Sequence, residues 1–120
     1  MPRVLVVEDD VVVRLMVVEA LRDAGFEVME AEDGEMALTV CRSAAFDALL
    51  TDIRLPGPLS GWDVAEKCRE SDPTLPVIYA TAISIVPPRP VPGSRWCNKP
   101  CTPEQVVACV QAATRARAAG

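Results

Sequence analysis

Short apolar runs alternate along this chain with longer segments in which apolar residues recur every three or four positions. Runs bounded by turn residues are typical of buried strands, and the helical period is typical of helices that cover a sheet. The runs predict five strands, at residues 3–7, 26–30, 48–52, 77–81 and 95–98. Strands that alternate with helices predict an α/β fold with a doubly wound, five-stranded parallel sheet.

The same pattern predicts four helices. The first follows Asp10, which is expected to cap it, and ends at Ala24-Gly25, because glycine often follows a helix C-terminus. The positions that are expected to face the core from this helix are Val13, Met16, Val17, Ala20 and Leu21. The other helices are predicted at residues 35–42, at 61–70 and from Thr102 onward.

The region between the last two strands interrupts the alternation. Pro87, Pro88, Pro90 and Pro92 all lie within residues 83–95, and a proline inside a helix costs roughly 3 kcal/mol. A fourth crossover helix is therefore expected to be missing or reduced to a turn. Residues 84–94 are predicted to form an irregular, partly extended loop.

Composition narrows the class of protein. With 120 residues, half of them apolar, and a mean hydropathy of +0.20, the chain is expected to form one compact domain over residues 1–120. The formal net charge of −5 and the lack of a Lys/Arg cluster along the sequence argue against a nucleic-acid partner. No apolar run approaches the roughly 18 residues of a membrane span, and no signal-peptide pattern follows Met1. We expect a cytoplasmic protein with no membrane partner.

Cysteine and histidine usage excludes several kinds of site. The five cysteines are an odd number and do not form a disulfide framework, so we expect them to be small buried residues. Cys97, Cys101 and Cys109 could offer three thiolates to zinc, but their spacing is not that of a zinc knuckle. The chain has no histidine, which excludes a phosphohistidine, a Ser/His/Asp triad and an imidazole metal ligand on this chain.

Polar side chains follow the ends of four predicted strands. They are Glu8-Asp9, Asp52, Thr81 and Lys99, in chain order. Because open parallel sheets bind ligands at the carboxyl ends of their strands, we expect these side chains to converge. Two carboxylates ~4 Å apart repel by about 4 kcal/mol at an effective dielectric of about 20, so the group requires a cation. A hard divalent ion with oxygen ligands fits.

These residues resemble the motifs of response-regulator receiver domains, the phosphoacceptor modules of bacterial two-component signalling. The resemblance covers essentially the whole chain, with an acidic pair after strand one, Asp52 after strand three, Thr81 after strand four and Lys99-Pro100 after strand five. It implies a flavodoxin-like strand order of 2-1-3-4-5 and a stand-alone, single-domain response regulator that is not an enzyme. The loop at residues 56–61, one residue longer than usual, and the reduced fourth helix resemble a subgroup with a Phe-Ala-Thr-Gly type motif, partly matched by residues 79–82.

The resemblance also implies a magnesium site and a nucleophile. Mg²⁺ would be held by Asp9, Asp52 and the backbone carbonyl of Arg54, with Glu8 acting through water. Asp52 would accept a phosphoryl group from the phosphohistidine of a sensor histidine kinase or of a histidine phosphotransfer protein. Lys99 would neutralise charge on the group being transferred.

Two further residues are implied to form a switch. The hydroxyl of Thr81 would contact the phosphoryl group, and the ring of Trp96 would then move inward behind Thr81. The Lys99-Pro100 peptide bond is expected to be cis, which directs Lys99 into the site. Trp62, at the start of the third helix, is expected to be a packing residue at the edge of the site.

A second apolar stripe on the first helix consists of Val11, Leu15 and Val18, opposite the stripe that is expected to face the core. Contiguous exposed apolar surface often marks a partner site, although isolated surface valines are also tolerated. Because the helix starts directly after the acidic pair, we expect this stripe to dock the kinase or the phosphotransfer protein.

Three other functions are compatible with parts of this pattern. A phosphatase of the haloacid-dehalogenase type needs a second aspartate two residues after its nucleophile, where this chain has Arg54. A nucleotide-binding or flavin-binding module needs a glycine-rich loop after strand one, where the acidic residues would repel phosphate. A degenerate receiver that acts only as a protein-interaction module remains the alternative, since sequence alone does not establish phosphate uptake.

Overall fold

The computed structural model describes residues 2–81 and 89–119. Its elements are β1 (Arg3–Val7), α1 (Val11–Asp23), β2 (Glu27–Ala31), α2 (Gly34–Ser43), β3 (Ala48–Asp52), α3 (Gly61–Ser71), β4 (Val77–Thr81), β5 (Arg95–Asn98) and α4 (Pro103–Ala119). All neighbouring strands are parallel, in the order β2-β1-β3-β4-β5. The predicted doubly wound, flavodoxin-like sheet is confirmed.

Helices bury the sheet on both faces. On one face, α2 and α3 pack over a core cluster that includes Leu5 and Leu49. On the other face, α1 and α4 pack over a cluster that includes Val6, Leu50 and Val110. Burial on both faces explains why the central strands read as continuous apolar runs rather than as an alternation of apolar and polar residues.

The connection from β4 to β5 has no helix in the part that the structure describes. Residues 89–94 are irregular, and the remainder of the predicted loop, residues 84–88, lies outside the described residues. The Val91 N–H donates a hydrogen bond of 3.1 Å to the Tyr79 hydroxyl. Arg89 forms ion pairs with Asp63 and Glu66 of α3, at 3.1 and 2.5 Å. These contacts hold the segment before β5 against α3 and β4.

Helix α1 is rotated relative to the prediction. Val18, expected in the exposed stripe, is buried with 1% of its surface exposed, whereas Met16, expected to face the core, is 51% exposed. Both expectations are wrong. Seven of the eight residues from 11 to 18 are apolar, so their periodicity does not define a face, and packing against the sheet decides it. The side that faces inward runs through Arg14, Val17, Val18 and Leu21.

The cysteines differ in part from expectation. Cys41 of α2 and Cys68 of α3 are joined as a disulfide, with a Cα–Cα distance of 6.4 Å, so the expectation that no disulfide forms is wrong. The two residues are 27 positions apart in sequence, and only the packing of α2 on α3 brings them together. Cys97 is buried as expected, and Cys101 and Cys109 are half-buried. No group of cysteines in the described ranges meets the mutual spacing of a metal site.

Among residues 2–81 and 89–119, no helix combines the length and the apolar character that a bilayer span requires.

Candidate functional site

Three carboxylates converge at the carboxyl edge of the sheet. Glu8 and Asp9 lie in the loop after β1, and Asp52 is the last residue of the neighbouring strand β3. One oxygen of each carboxylate lies within 4.8 Å of an oxygen of both others. Carboxylate oxygens are the ligands that hard divalent cations such as Mg²⁺ prefer. The donor set therefore fits the expected metal. The Arg54 carbonyl as a further ligand stays a prediction.

Lys99 directly follows β5, an edge strand of the sheet, and its side chain extends to these carboxylates. Its Nζ lies 2.6 Å from Glu8 Oε1 and 3.0 Å from Asp52 Oδ2. The Lys99-Pro100 bond is cis, as predicted, and the Lys99 N–H donates a 2.8 Å hydrogen bond to the carbonyl of Thr81. The side chain of Lys99, which the sequence pattern located after a strand, therefore lies between the carboxylates of Glu8 and Asp52.

Burial shifts the pKa values of Glu8 and Lys99, the closest ion pair of the site. Glu8 is only 6% exposed, and burial raises its pKa, which hydrogen bonds from Lys99 and from the Asp10 N–H offset only in part. Burial opposes the charged form of Lys99 as well, but hydrogen bonds to Glu8 and Asp52 outweigh it and raise the pKa of the ammonium. Lys99 is therefore held as a cation, while Glu8 requires a positive charge nearby to remain ionised.

The backbone around Asp52 orients its carboxylate. The Ile53 N–H donates a 2.7 Å hydrogen bond to Asp52 Oδ1, and the Thr51 hydroxyl donates to the Asp52 carbonyl at 2.8 Å. Gly61 packs directly on this turn, where its N–H donates to the Ile53 carbonyl at 2.8 Å. A Cβ at Gly61 would collide with the Asp52 carbonyl oxygen and with the Ile53 Cα. Glycine is therefore required there for the start of α3 to approach β3.

Arg14 is a residue of the site that the sequence analysis missed. Its Nη1 donates a 2.6 Å hydrogen bond to the Glu8 carbonyl, and its Nε donates to Glu30 at 3.2 Å. Its side chain is only 15% exposed. Helix α1 thus fixes the loop that carries Glu8. The Glu8 N–H also donates a hydrogen bond to the carbonyl of Ala31 in β2. Only its position in the sequence could have indicated this role, because Arg14 lies one helical turn after the capping residue Asp10, on the side of α1 nearest the loop.

Asp10, the third acidic residue of the loop, serves the helix. Its side chain accepts hydrogen bonds from the N–H groups of Val12 and Val13, at 2.9 and 3.1 Å. The prediction that Asp10 caps α1 is confirmed. This assignment leaves Glu8 and Asp9 as the acidic pair that faces Asp52.

Thr81 and Trp96, the residues of the predicted switch, lie on the neighbouring strands β4 and β5. Thr81 ends β4 and is buried, and it is the register partner of Asn98 in β5. Trp96 is 43% exposed, and its ring lies 5.6 Å from that of Trp62 and 5.3 Å from that of Tyr79, centroid to centroid. Trp62 is buried in the core, which confirms its role as a packing residue. The switch itself stays a prediction.

The exposed apolar residues of α1 form a surface beside the acidic pair. Four side chains in the first two turns are each more than half exposed, and we refer to them as the α1 surface: Val11, Val12, Leu15 and Met16. Val11 and Leu15 were expected in an exposed stripe, whereas Val18 is excluded by its burial. The α1 surface begins two residues after Asp9 and is therefore adjacent to the carboxylates.

Comparison with known sequences identifies related proteins. A family model described as the response regulator receiver domain matches residues 4–87. The chain is 37% identical over 116 residues to a probable transcriptional regulatory protein, TcrX, of Mycobacterium tuberculosis, covering 93% of this chain and 49% of TcrX. It is 34% identical over 117 residues to the DNA-binding response regulator MtrA of Mycobacterium leprae, covering 94% of this chain and 51% of MtrA. The chain thus spans about half the length of these curated relatives.

Solved structures resemble the whole fold. A response regulator receiver protein from Sinorhizobium medicae superposes with a TM-score of 0.91 at 34% identity, covering 97% of this chain and 96% of the other. The chemotaxis response regulator CheY4 of Vibrio cholerae gives a TM-score of 0.84 at 29% identity, covering 94% and 98%. The similarity therefore extends past residue 87 to include β5 and α4.

Proposed function

The chain belongs to the response regulator receiver domain family, and from this premise we propose that Asp52 is the phosphoacceptor of a two-component or phosphorelay pathway. Domains of this family serve two-component signalling as phosphoacceptors and are generally not classed as enzymes. The observation that carries the proposal is the position of the Asp52 carboxylate, at the end of the central strand, 3.0 Å from the Lys99 ammonium and grouped with two further carboxylates.

We propose that Mg²⁺ is bound by Glu8, Asp9 and Asp52, with the Arg54 backbone carbonyl as a further ligand. Support comes from the oxygen donors and from the burial of Glu8, since crowded carboxylates are stabilised by a cation. When bound, the ion would neutralise charge on phosphoryl oxygens. Arg14 would act as a positioning residue, because it holds the carbonyl of Glu8 and with it the loop that carries two of the ligands.

The transfer step would be a substitution at phosphorus. A carboxylate oxygen of Asp52 forms the new P–O bond while the P–N bond to the donor imidazole breaks, and the imidazole nitrogen takes up a proton. The Ile53 N–H orients the carboxylate, and Lys99 pairs with the charge that the phosphoryl oxygens bring. Because Lys99 already contacts Asp52, little rearrangement is needed.

Phosphorylation would be read out through Thr81 and Trp96. The Thr81 hydroxyl would bond a phosphoryl oxygen, and the Trp96 ring would turn inward against Tyr79. Support comes from the exposure of Trp96 and from the two aromatic rings that already flank it. The affected surface would include residues 89–94, which are irregular in the structure.

The donor is proposed to be a sensor histidine kinase or a histidine phosphotransfer protein that docks on the α1 surface. A donor helix seated there would present its phosphohistidine next to Asp9 and Asp52. Relatives such as MtrA are named DNA-binding, but they are about twice the length of this chain. For this chain, the predictions of no nucleic-acid partner, of a cytoplasmic location and of one receiver domain over residues 1–120 stay predictions.

Docking can be tested with Leu15→Asp combined with Val12→Lys. Transfer from the cognate kinase should slow at least about tenfold, since a charged residue replaces an apolar contact, while phosphorylation by a small acyl phosphate stays within twofold. Met36→Asp is the matched control, because Met36 is an exposed apolar residue on α2. Equal loss with both donors would indicate damage to the fold, and no loss with the kinase would refute docking on this surface.

Phosphoacceptance can be tested by intact-mass measurement after incubation with an acyl phosphate and Mg²⁺. Wild type should gain one phosphoryl group, Asp52→Asn should gain none, and removal of Mg²⁺ should abolish the reaction. Asp23→Asn, which changes an exposed aspartate at the end of α1, should react as wild type does. Lack of uptake by wild type would favour the alternative, a receiver that acts only as an interaction module.

A further inference from the structure

A second charged region lies at the amino edge of the sheet, opposite the carboxylates. A surface cavity of about 500 Å³ opens there between the C-terminal parts of α3 and α4 and the start of β5. Three arginines line it, one from each of these elements: Arg69, Arg95 and Arg117. None of the described residues that line it is acidic. The arginines are far apart in sequence, and the fold creates the basic cluster.

Hydrogen bonds hold two of the guanidinium groups in place. Arg69 donates from Nε to the Leu75 carbonyl at 2.6 Å and from Nη2 to the Pro92 carbonyl at 2.9 Å. Arg117 is paired through Nη2 with Asp72 at 2.6 Å. A guanidinium has five N–H donors, so each group keeps donors for a ligand. Fixed donors lose little conformational entropy when a ligand binds.

Arg95 has the fewest hydrogen-bond and ion-pair partners of the three arginines within the described residues. Among residues 2–81 and 89–119 it has no hydrogen-bond or ion-pair partner, and it is exposed as the first residue of β5. Of the three arginines, only Arg117 has a carboxylate partner. In a chain with a net charge of −5, this cavity therefore concentrates positive charge against the sign of the whole protein.

The volume of the cavity is compatible with a small molecule. Its volume lies within the roughly 300–1,000 Å³ of typical ligand pockets. Three prolines, Pro73, Pro76 and Pro92, form rigid parts of its wall. Arginines from three elements line the cavity and could offer donors to several oxygens of one anion. A phosphate group offers three oxygens in a tetrahedral arrangement, whereas a carboxylate offers two in a plane.

We propose that this cavity binds a small molecule that carries a phosphate group. The site is separate from the phosphoacceptor, because Val77 at one end of β4 lines the cavity and Thr81 ends β4 at the other edge. Those four steps along a strand span roughly 13 Å. The proposal is independent of whether Asp52 accepts phosphate.

Calorimetric titration with inorganic pyrophosphate, in buffer freed of divalent cations, tests the site. Wild type should bind it, and Arg95→Gln should weaken binding about tenfold, the scale of one lost charge-assisted contact. Arg42→Gln is the matched control, since it removes an exposed arginine from the end of α2, outside the cavity. It should change the affinity less than twofold. Equal weakening by both variants, or no binding by wild type at millimolar pyrophosphate, would overturn the proposal.

Location and chemistry can be tested in parallel. Amide chemical shifts should move on pyrophosphate addition at Thr74, Gly93 and Arg95, and movement confined to Lys99 and Thr81 would overturn the assignment. Citrate should bind at least about tenfold more weakly than pyrophosphate, because its carboxylates lack the tetrahedral oxygens. Equal affinity for citrate would show a site for negative charge in general and refute the phosphate assignment.

Discussion

The two edges of the sheet gather different charged groups, and the topology explains part of the difference. At the carboxyl edge lie the three carboxylates of the site, together with the N-caps of α1 and α2, Asp10 and Asp33. At the other edge every helix has an arginine in its last turn: Arg22, Arg42, Arg69 and Arg117. Because crossover helices run antiparallel to the strands, their N-termini, which favour anions, all lie at the carboxyl edge. The fold thus places the acidic caps and the arginines of the last helical turns at opposite edges, although Glu27 and Asp72 also lie at the amino edge.

The edges differ in burial, although the ion pairs have the same length. Lys99–Glu8 and Arg117–Asp72 both measure 2.6 Å, but the side chains are 24% and 8% exposed in the first pair and 32% and 34% exposed in the second. Water screens the second pair and stabilises either partner when it is alone. In the first pair, an unpaired Glu8 would remain buried. Distance alone therefore does not rank these interactions, and substitutions should separate them.

Lys99→Met should have the largest effect. Without Mg²⁺ it leaves two carboxylates with no cation, and the free energy of unfolding should fall by about 3 kcal/mol. Phosphorylation by an acyl phosphate should fall at least about a hundredfold. Urea unfolding with and without Mg²⁺, and initial rates by mass spectrometry, measure both. Lys67→Met, at the exposed lysine of α3, is the control and should change neither.

Arg14→Met should weaken Mg²⁺ binding by about 10- to 100-fold, the range for residues that orient metal ligands. Mg²⁺ titration monitored by tryptophan fluorescence provides the affinity. Arg14→Lys should recover part of the loss, because an ammonium can still donate to the Glu8 carbonyl. Arg22→Met, which removes the other, more exposed arginine near Glu30, should leave the affinity unchanged. A loss of stability with unchanged Mg²⁺ affinity would refute the positioning role.

Alkaline pH should weaken the carboxyl edge selectively. Burial opposes the charge of Lys99, but Glu8 and Asp52 raise its pKa above the ordinary 10.5. Its contribution to stability is therefore complete below pH 10.5 and is lost as the pH rises through the folded value. Arginine keeps its proton in this range.

Urea unfolding from pH 9 to about 11.5 should show a steeper fall in unfolding free energy for wild type than for Lys99→Met. Burial also raises the pKa of Tyr79. Tyr79 titrates in both proteins, so its contribution cancels when the unfolding free energies of wild type and Lys99→Met are subtracted. Parallel curves for the two proteins would contradict the raised pKa.

Arg117→Gln should have the smallest effect. It removes a half-exposed pair with Asp72, so the free energy of unfolding should fall by only about 0.5–1 kcal/mol. Thermal or urea unfolding at low and at 0.5 M salt measures it, and salt should narrow the difference from wild type. A loss as large as that of Lys99→Met would contradict the comparison of the two edges.

Much of the carboxyl edge could be predicted because its main residues either end a strand or immediately follow one. Glu8, Asp52 and Lys99 needed only the positions of β1, β3 and β5, and a parallel sheet places those strand ends together. Arg14 could not be found in this way. It reaches the site from within a helix, and its role depends on how α1 is rotated about its axis.

The sequence pattern predicts the inward face of α4 but not that of α1. In α4 four apolar positions are expected to face inward, and of these Val106, Val110 and Ala113 are buried and Val107 is half-buried. Residues 106–110 are all apolar, but Glu104, Gln111 and Arg115 mark the opposite side of the helix. In α1 the apolar run has no polar side, so two rotations about the helix axis satisfy the pattern almost equally well. The structure selects the one that buries Val18 and exposes Met16.

The sequence by itself determined the order of elements, the sheet class, the edge that holds the site and most of its charged residues. These depend on local periodicity and on chain direction. The tertiary structure decided the rotation of α1, the Cys41–Cys68 contact, the role of Arg14 and the three-arginine cavity. Each of these joins residues that are distant in sequence or that local pattern leaves ambiguous. Such contacts form only when whole helices pack, and the packing free energy is a property of the assembled core rather than of any one segment.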